Sequence, residues 1–346
     1  MPLCISTSWI SAIWNTIDPR ELPGGFPVKE EPKIDKKQSA CACKQTSIGG
    51  QALIEGIMMR GPHQSAMAVR RPDKSITTET WTTFSGGRKW YHSVPIVRGC
   101  VSFVESLRVG YRCLMRSADL AGFEEEPSGF EKKLIDKFGK KASDVLTYLA
   151  MFIGVMAAVL LFMVLPSFLV GLLGEHIPGW SRTILEGVLK IALFVLYLAV
   201  VSRSEDMHRM FQFHGAEHKT IACYEAGEEL TPENVKKYTR FHPRCGTSFL
   251  LIVLVVSMLV FSFITWDSLA VRVLLKLILL PVTVGISFEI IRYAGRYSNP
   301  LTRLISAPGL WLQRLTTAEP DTEHIEVAIA AMLPCIPDDG SDQWGN

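Results

Sequence analysis

The stretch VLTYLAMFIGVMAAVLLFMVLPSFLVGLL, Val145–Leu173, decides the fold class. It carries no charged residue and is longer than the roughly 20 residues a helix needs to cross the hydrocarbon core of a bilayer. Pro166, Gly171 and Gly174 lie late in it and predict a kink, or an end, before Glu175. Three more apolar runs follow, at 181–201, 247–266 and 271–291. Glu186 and Lys190 interrupt the first of these at a spacing of four, which pairs them on one helix face. The next is free of charge, and the last carries Lys276 near one end and Glu289 near the other. The expectation is an α-helical polytopic membrane protein with four transmembrane helices over 144–293.

Composition agrees. The chain has 346 residues, 48% hydrophobic and only 20% charged, with a mean hydropathy of +0.21. Soluble globular chains carry about 25% charge. The same figures exclude disorder for the bulk of the chain. A net charge of +2 with no block of lysine or arginine excludes a nucleic-acid partner and leaves the lipid bilayer as the expected surroundings. Eight cysteines without paired spacing exclude a disulfide scaffold. Residues 1–46 read as a flexible leader: Met1–Ile17 lacks the basic start of a signal peptide, and Pro19–Cys43 is rich in Pro, Gly and Lys. Cys41 and Cys43 make at most half a metal site.

Basic residues predict the orientation. Lys132, Lys133, Lys137, Lys140 and Lys141 precede the first run, seven basic residues lie between Arg203 and Arg244, and Arg292, Arg296, Arg303 and Arg314 follow the last. The two short connections hold one each. Both termini and the 203–246 loop are therefore expected on the cytoplasmic side.

A small N-terminal cytoplasmic α+β domain is expected over 47–143. Ala66–Arg70 and Ser75–Thr80 read as a strand pair joined by a turn at Arg71–Lys74. Val94–Leu120 has helical apolar spacing, for a helix docked on the small sheet or lying on the membrane surface, docking being favoured. The segment 294–346 is expected to be cytoplasmic, with an amphipathic closing helix over Glu319–Leu333.

Four of the eight histidines fall in the 203–246 loop: His208, His214, His218 and His242. His214-Gly215-Ala216-Glu217-His218 has the H-x-x-E-H pattern, the reverse of the H-E-x-x-H motif of zinc peptidases. Imidazoles four apart share a helix face and can reach one ion. Glu217 stays near that face, placed to act as general base to a water. Gly215 weakens the helix on which this depends. A catalytic zinc needs a third protein ligand. His242, held outside a helix by Pro243, is the expected one, with Cys245, Glu225 and Glu289 as further candidates. Glu289 reads either as an interfacial ion pair with Arg292 or Arg296 or as a carboxylate facing the loop. Thr231-Pro232 reads as a second helix start, with Gly227 as the break before it.

Four motifs carry a family resemblance: Gly49 to Pro62, Pro95 to Gly99, His214 to Lys219 and His242 to Phe249. Together they resemble the bacterial YqhQ-like family of membrane proteins, over about Ile48 to Ala330. That family is of unknown function and is carried as a predicted metal-dependent enzyme. The resemblance implies a bacterial inner (cytoplasmic) membrane protein, and it marks Glu55, Arg60, Arg98 and Gly99. Glu55 reads as a fourth metal ligand or as a salt-bridge partner of Arg60 or Arg98.

The sequence thus predicts a metal-dependent membrane enzyme, a hydrolase, with a divalent metal, zinc by default, held by His214, His218 and His242. The rival is a non-enzymatic scaffold or assembly factor whose loop is a structural metal clip or a surface for a membrane-protein partner or a second copy. A transporter fits less well, because no repeated pair of broken helices is present.

Overall fold

A computed structural model describes residues 45–83, 90–122, 141–172, 179–263, 269–297 and 299–343. Residues 1–44 of the expected leader, with Cys41 and Cys43, and the lysines at 132–140 lie outside the described residues, whereas Thr46, also assigned to the leader, is buried and bridges to Gln343.

Four strands form an antiparallel meander in chain order: β1 (Gly49–Leu53), β2 (Gly56–Arg60), β3 (Gln64–Arg70) and β4 (Ile76–Thr82). The β3–β4 hairpin is the expected pair, with Arg70 opposite Ile76. Its turn falls at Arg71–Lys74, where Asp73 accepts the Ser75 N–H at 2.9 Å. β1 and β2 were not expected. β2, Gly-Ile-Met-Met-Arg, is buried on both faces, so it shows no alternation of polar and apolar residues. The turn before it places Glu55 at φ +50°, a conformation usually left to Gly or Asn, so no turn signal marks it.

Both faces of the sheet are covered. Helix α1 (Val97–Leu120) lays Cys113 and Ala121, the residue that caps it, on Leu53, Met58, Met67 and Val69. The docking expected for this helix is what forms. The opposite face, with Ile57, Met59, Ala66 and Ala68, packs on helices described below, through Phe213, Ile221, Ile325 and Met332.

The apolar helices come next. α2 (Lys141–Val159) passes through one widened turn, Leu160–Val164, into α3 (Leu165–Gly171). That turn absorbs Pro166, whose ring and missing N–H do not fit a regular helix interior. α4 spans Gly179–Val201. The loop helices are α5 (Glu205–Glu225) and a single turn, α6 (Pro232–Val235). α7 (Gly246–Phe261) and α8 (Leu269–Arg296) are apolar again. Among the described residues three helices are long and apolar enough to cross a membrane: Leu149–Gly171, Ser181–Val201 and Val273–Arg296. The span expected over 247–266 appears as the 16-residue α7, with 264–268 outside the described residues.

Two helices close the chain, α9 (Pro300–Thr316) and α10 (Thr322–Met332). α10 is the expected closing helix. It packs between the sheet and α5, burying Ile325, Val327, Ala328 and Met332 completely.

Within the apolar bundle, Glu186 and Lys190 pair at 3.1 Å, as their spacing predicts. Lys276 of α8 joins the same carboxylate, and Ser167 of α3 donates to it at 2.7 Å. One carboxylate therefore ties three helices. Breaking a buried ion cluster by removing one partner costs about 3–5 kcal/mol. Glu186→Gln should lower the thermal unfolding midpoint of the detergent-purified protein by several degrees. An unchanged midpoint would show that the cluster does not hold the bundle.

Candidate metal centre

α5 carries the centre. Glu205 and Asp206 complement the positive end of the helix dipole, and the chain leaves the helix at Gly227, the expected break. Thr231 caps α6 by accepting the Asn234 N–H at 3.3 Å. Gly215, the weak point of this helix on propensity, has a packing reason. A Cβ there would lie 2.1 Å from the Ala318 carbonyl oxygen, where the chain leaving α9 crosses α5.

His214 and His218 share one face of α5, with ring centroids 4.5 Å apart. His214 Nδ1 lies 2.7 Å from the Thr316 carbonyl and His218 Nδ1 lies 2.6 Å from the Arg240 carbonyl. A carbonyl only accepts, so both Nδ1 atoms carry the proton and both Nε2 atoms are left to face the centre. Between them stands Cys245, the N-cap of α7, with Sγ 3.1 Å from His214 Nε2. The ligand atoms of His214, His218 and Cys245 all lie within 4.8 Å of one another. Bonds of about 2.0–2.3 Å to a tetrahedral ion put such atoms about 3.3–3.8 Å apart, so small side-chain movements suffice.

The electrostatics fit this donor set. Burial alone would keep His214 neutral, but Cys245 above all, then Glu217 and the Thr316 carbonyl, raise it to about 9. Burial would raise the Cys245 thiol, yet the His214 and His218 imidazoles pull it well below its ordinary value. Nε2 of His214 and Sγ of Cys245 share a hydrogen bond, whose proton a divalent cation would displace.

Glu217 is buried beside these groups, and its Oε1 accepts the Gly50 N–H of β1 at 2.9 Å. Burial raises its carboxyl against the opposing pull of His218 and His214. It is absent from the convergent ligand group.

The other candidates stand elsewhere. His242 lies next to His218, ring centroids 5.5 Å apart, but outside the ligand group. Its main chain is held on both sides by Gln313, which accepts the His242 N–H at 2.8 Å and donates to the His242 carbonyl at 2.7 Å. Its Nε2 faces Arg244 at 3.3 Å and Glu225 at 3.9 Å. Burial pushes His242 down to about 4, against Glu225 and with Arg244 and His218. Glu225 pairs with Arg244 and accepts the Thr46 N–H at 2.8 Å. Glu289 forms its ion pair with Arg98, and the charge of Arg292 adds a weaker pull on it. Glu55 pairs with Arg209 through both carboxylate oxygens rather than with Arg60 or Arg98. Sequence reasoning missed Gln313, Thr316 and Gly50. Asn299-Pro300 followed by Thr302, a capping box with Pro at N1, was the available signal for α9.

A family model described as "Protein of unknown function (DUF1385)" matches residues 94–337. The chain belongs to this family. It is also 36% identical over 295 residues to "Uncharacterized protein YqhQ" of Bacillus subtilis (strain 168), covering 82% of this chain and 90% of the relative. No solved structure matches. Both descriptions leave the function open, so the metal-dependent activity implied by the resemblance gains no support from them.

The placement of Cys245 and His242 makes them separable. Cys245→Ser or His214→Ala should remove most of the metal bound by the purified protein, whereas His242→Gln should retain it, as read by elemental mass spectrometry. Loss of metal in His242→Gln with retention in Cys245→Ser would exchange their roles.

Proposed function

We propose that this chain is a metal-dependent membrane enzyme, a hydrolase, with its centre at the cytoplasmic face of a bacterial inner membrane. The observation that carries the reading is the convergence of His214, His218 and Cys245, with the buried carboxylate of Glu217 beside them and outside the ligand group. Two imidazoles and a thiolate suit zinc, and three protein ligands leave a fourth position open. Glu217, fixed by the Gly50 N–H, would take a proton from a water polarised at that position.

The four-span topology belongs to the same proposal. α7 packs against both α4 and α8. At 1.5 Å per residue its 16 residues rise about 24 Å, against a hydrocarbon core of about 30 Å. The distribution of basic residues supports a cytoplasmic α4–α7 connection, and with it a cytoplasmic centre.

Burial favours a second reading. His218 is 1% exposed, Glu217 5% and Cys245 6%, as in a closed structural site. In that case the protein is a scaffold whose metal clips the loop to the bundle.

Glu217→Gln separates the two. In the enzyme, metal content and folding survive while the cellular function of a complemented deletion strain is lost, since general-base assistance is worth about 10²–10⁴ in rate. Full complementation by Glu217→Gln, with failure of His214→Ala and His218→Ala, would sink the hydrolase in favour of the clip.

A further inference from the structure

Docking on the sheet accounts for only part of α1. The C-terminal half carries the sheet: a Cβ on Gly110 would strike the Gln51 amide of β1, and Cys113 packs with Leu53, Met58 and Met67. The N-terminal half meets the apolar helices instead. A Cβ on Gly99 would lie 2.7 Å from Phe288 Cβ, and one on Gly285 would lie 2.7 Å from the Ile96 carbonyl oxygen. Cys100 Sγ donates to the Pro281 carbonyl at 2.9 Å, and the rings of Phe103 and Phe249 of α7 stand 5.9 Å apart. The junction holds Ile96 at φ +66°, a conformation a β-branched residue adopts only when its surroundings enforce it.

These contacts fix the depth of α1. The part of α8 able to cross a membrane is Val273–Arg296. A crossing takes about 20 helical residues, and about 17 at the least. Every stretch of about 17 residues or more within Val273–Arg296 contains Pro281, Gly285 and Phe288. Wherever α8 sits in a bilayer, the start of α1 is therefore level with the acyl chains. Its backbone suits such surroundings. The first N–H groups of a helix have no partner within it, and hydrocarbon offers none. Here Glu289 accepts the Ile96 N–H at 3.3 Å, and the Pro95 and Val94 carbonyls accept those of Val97 and Arg98 at 2.7 and 2.9 Å. The charge of Arg98 is paired with Glu289.

One flank of α1 is left uncovered. Val97, Val104, Leu107, Tyr111 and Met115 fall within about 80° of its circumference. All are exposed, Val104 at 62% and Leu107 at 58%, so the described residues do not cover them. Arg98, Glu105, Arg112 and Arg116 occupy the adjoining flank. An apolar flank beside a charged one is the pattern of a helix lying in a membrane interface. Cys100, which touches Pro281, falls on the apolar flank, so that flank borders the α8 surface carrying the exposed Leu277 and Ile278, one turn from Pro281.

We propose that the apolar flank of α1, with Val97, Val104 and Leu107, is embedded in the acyl chains of the bilayer that α8 crosses. α1 then moors the small sheet to the membrane, its charged flank turned to the water. The depth of the Pro281, Gly285 and Phe288 contacts selects lipid as the occupant. The placement rests on α8 as a span and not on the metal centre.

The test uses the full-length protein in phosphatidylcholine vesicles containing a phosphatidylcholine with a diazirine on its acyl chain. Photolysis releases nitrogen and leaves a carbene that inserts into the C–H bonds it touches. Trypsin then separates residues 99–108 of α1 from 277–292 of α8 and from 220–236 of the loop, for mass spectrometry. Adduct yield at Val104 and Leu107 should lie within about threefold of that on 277–292 and at least about tenfold above that on 220–236. Hydroxyl radicals generated in the water should leave Val104 and Leu107 unmodified. Adducts at the 220–236 level would overturn the assignment: with radical modification the flank faces water, and without it a second copy or the segment 123–140 covers it. An equally low yield on 277–292 would overturn the span on which the placement rests.

Discussion

His214 and His218 each give their Nδ1 proton to a main-chain carbonyl, and much of the surrounding structure serves to supply those two acceptors. Thr316, which takes the first, is the last residue of α9, where helix carbonyls lack partners within their own helix. Arg240, which takes the second, lies in the stretch that returns toward α7. That stretch is pinned to α9 by the paired hydrogen bonds of Gln313 with the His242 main chain. α5, α7 and α9 thus fix one another's positions, and the two Nε2 atoms are aimed as a consequence. A carbonyl that accepts the far N–H of an imidazole sets the tautomer and ring orientation of metal-binding histidines.

The constraint extends along α5. Four consecutive polar residues, Glu217, His218, Lys219 and Thr220, are buried, so protein must surround the helix on every side at this level. Three of them find partners off the helix, and the fourth bonds back within it. Glu217 meets β1, His218 meets the returning stretch, Lys219 reaches Glu319 and the Lys236 carbonyl, and Thr220 bonds back to Ala216. Leaving any one unsatisfied would cost about 1–3 kcal/mol. The apolar residues Phe213, Ala216, Ile221 and Cys223 supply the remaining contacts, in one cluster with β2, β3 and α10. The small sheet is therefore the wall against which the histidine helix is held.

Much of this was legible in the sequence where a pattern has one physical meaning. Uncharged runs gave the apolar helices, the spacing of Glu186 and Lys190 gave their ion pair, and the H-x-x-E-H pattern gave two imidazoles on one face. The reading ran out where two distant segments decide the outcome. β1 and β2 are hidden because both faces of β2 are covered and Glu55 occupies a turn position normally taken by Gly. The preference for His242 over Cys245 rested on Pro243, which holds His242 outside a helix where it can fold back. The structure separates them through Gln313, 71 positions away, which fixes the His242 main chain, and through the cap position of Cys245, which turns its sulfur inward. Glu289 was left between an ion pair and a loop-facing carboxylate. Its actual partner, Arg98, lies 191 residues earlier, beyond the reach of local spacing.

The central claim is that His214, His218 and Cys245 form one metal centre. X-ray absorption at the zinc edge of the purified full-length protein tests it most directly. The account predicts one equivalent of metal, with a single sulfur scatterer at about 2.3 Å and nitrogen scatterers at about 2.0–2.1 Å. A sulfur-free first shell, or metal at far below one equivalent after purification in zinc-supplemented buffer, would contradict it.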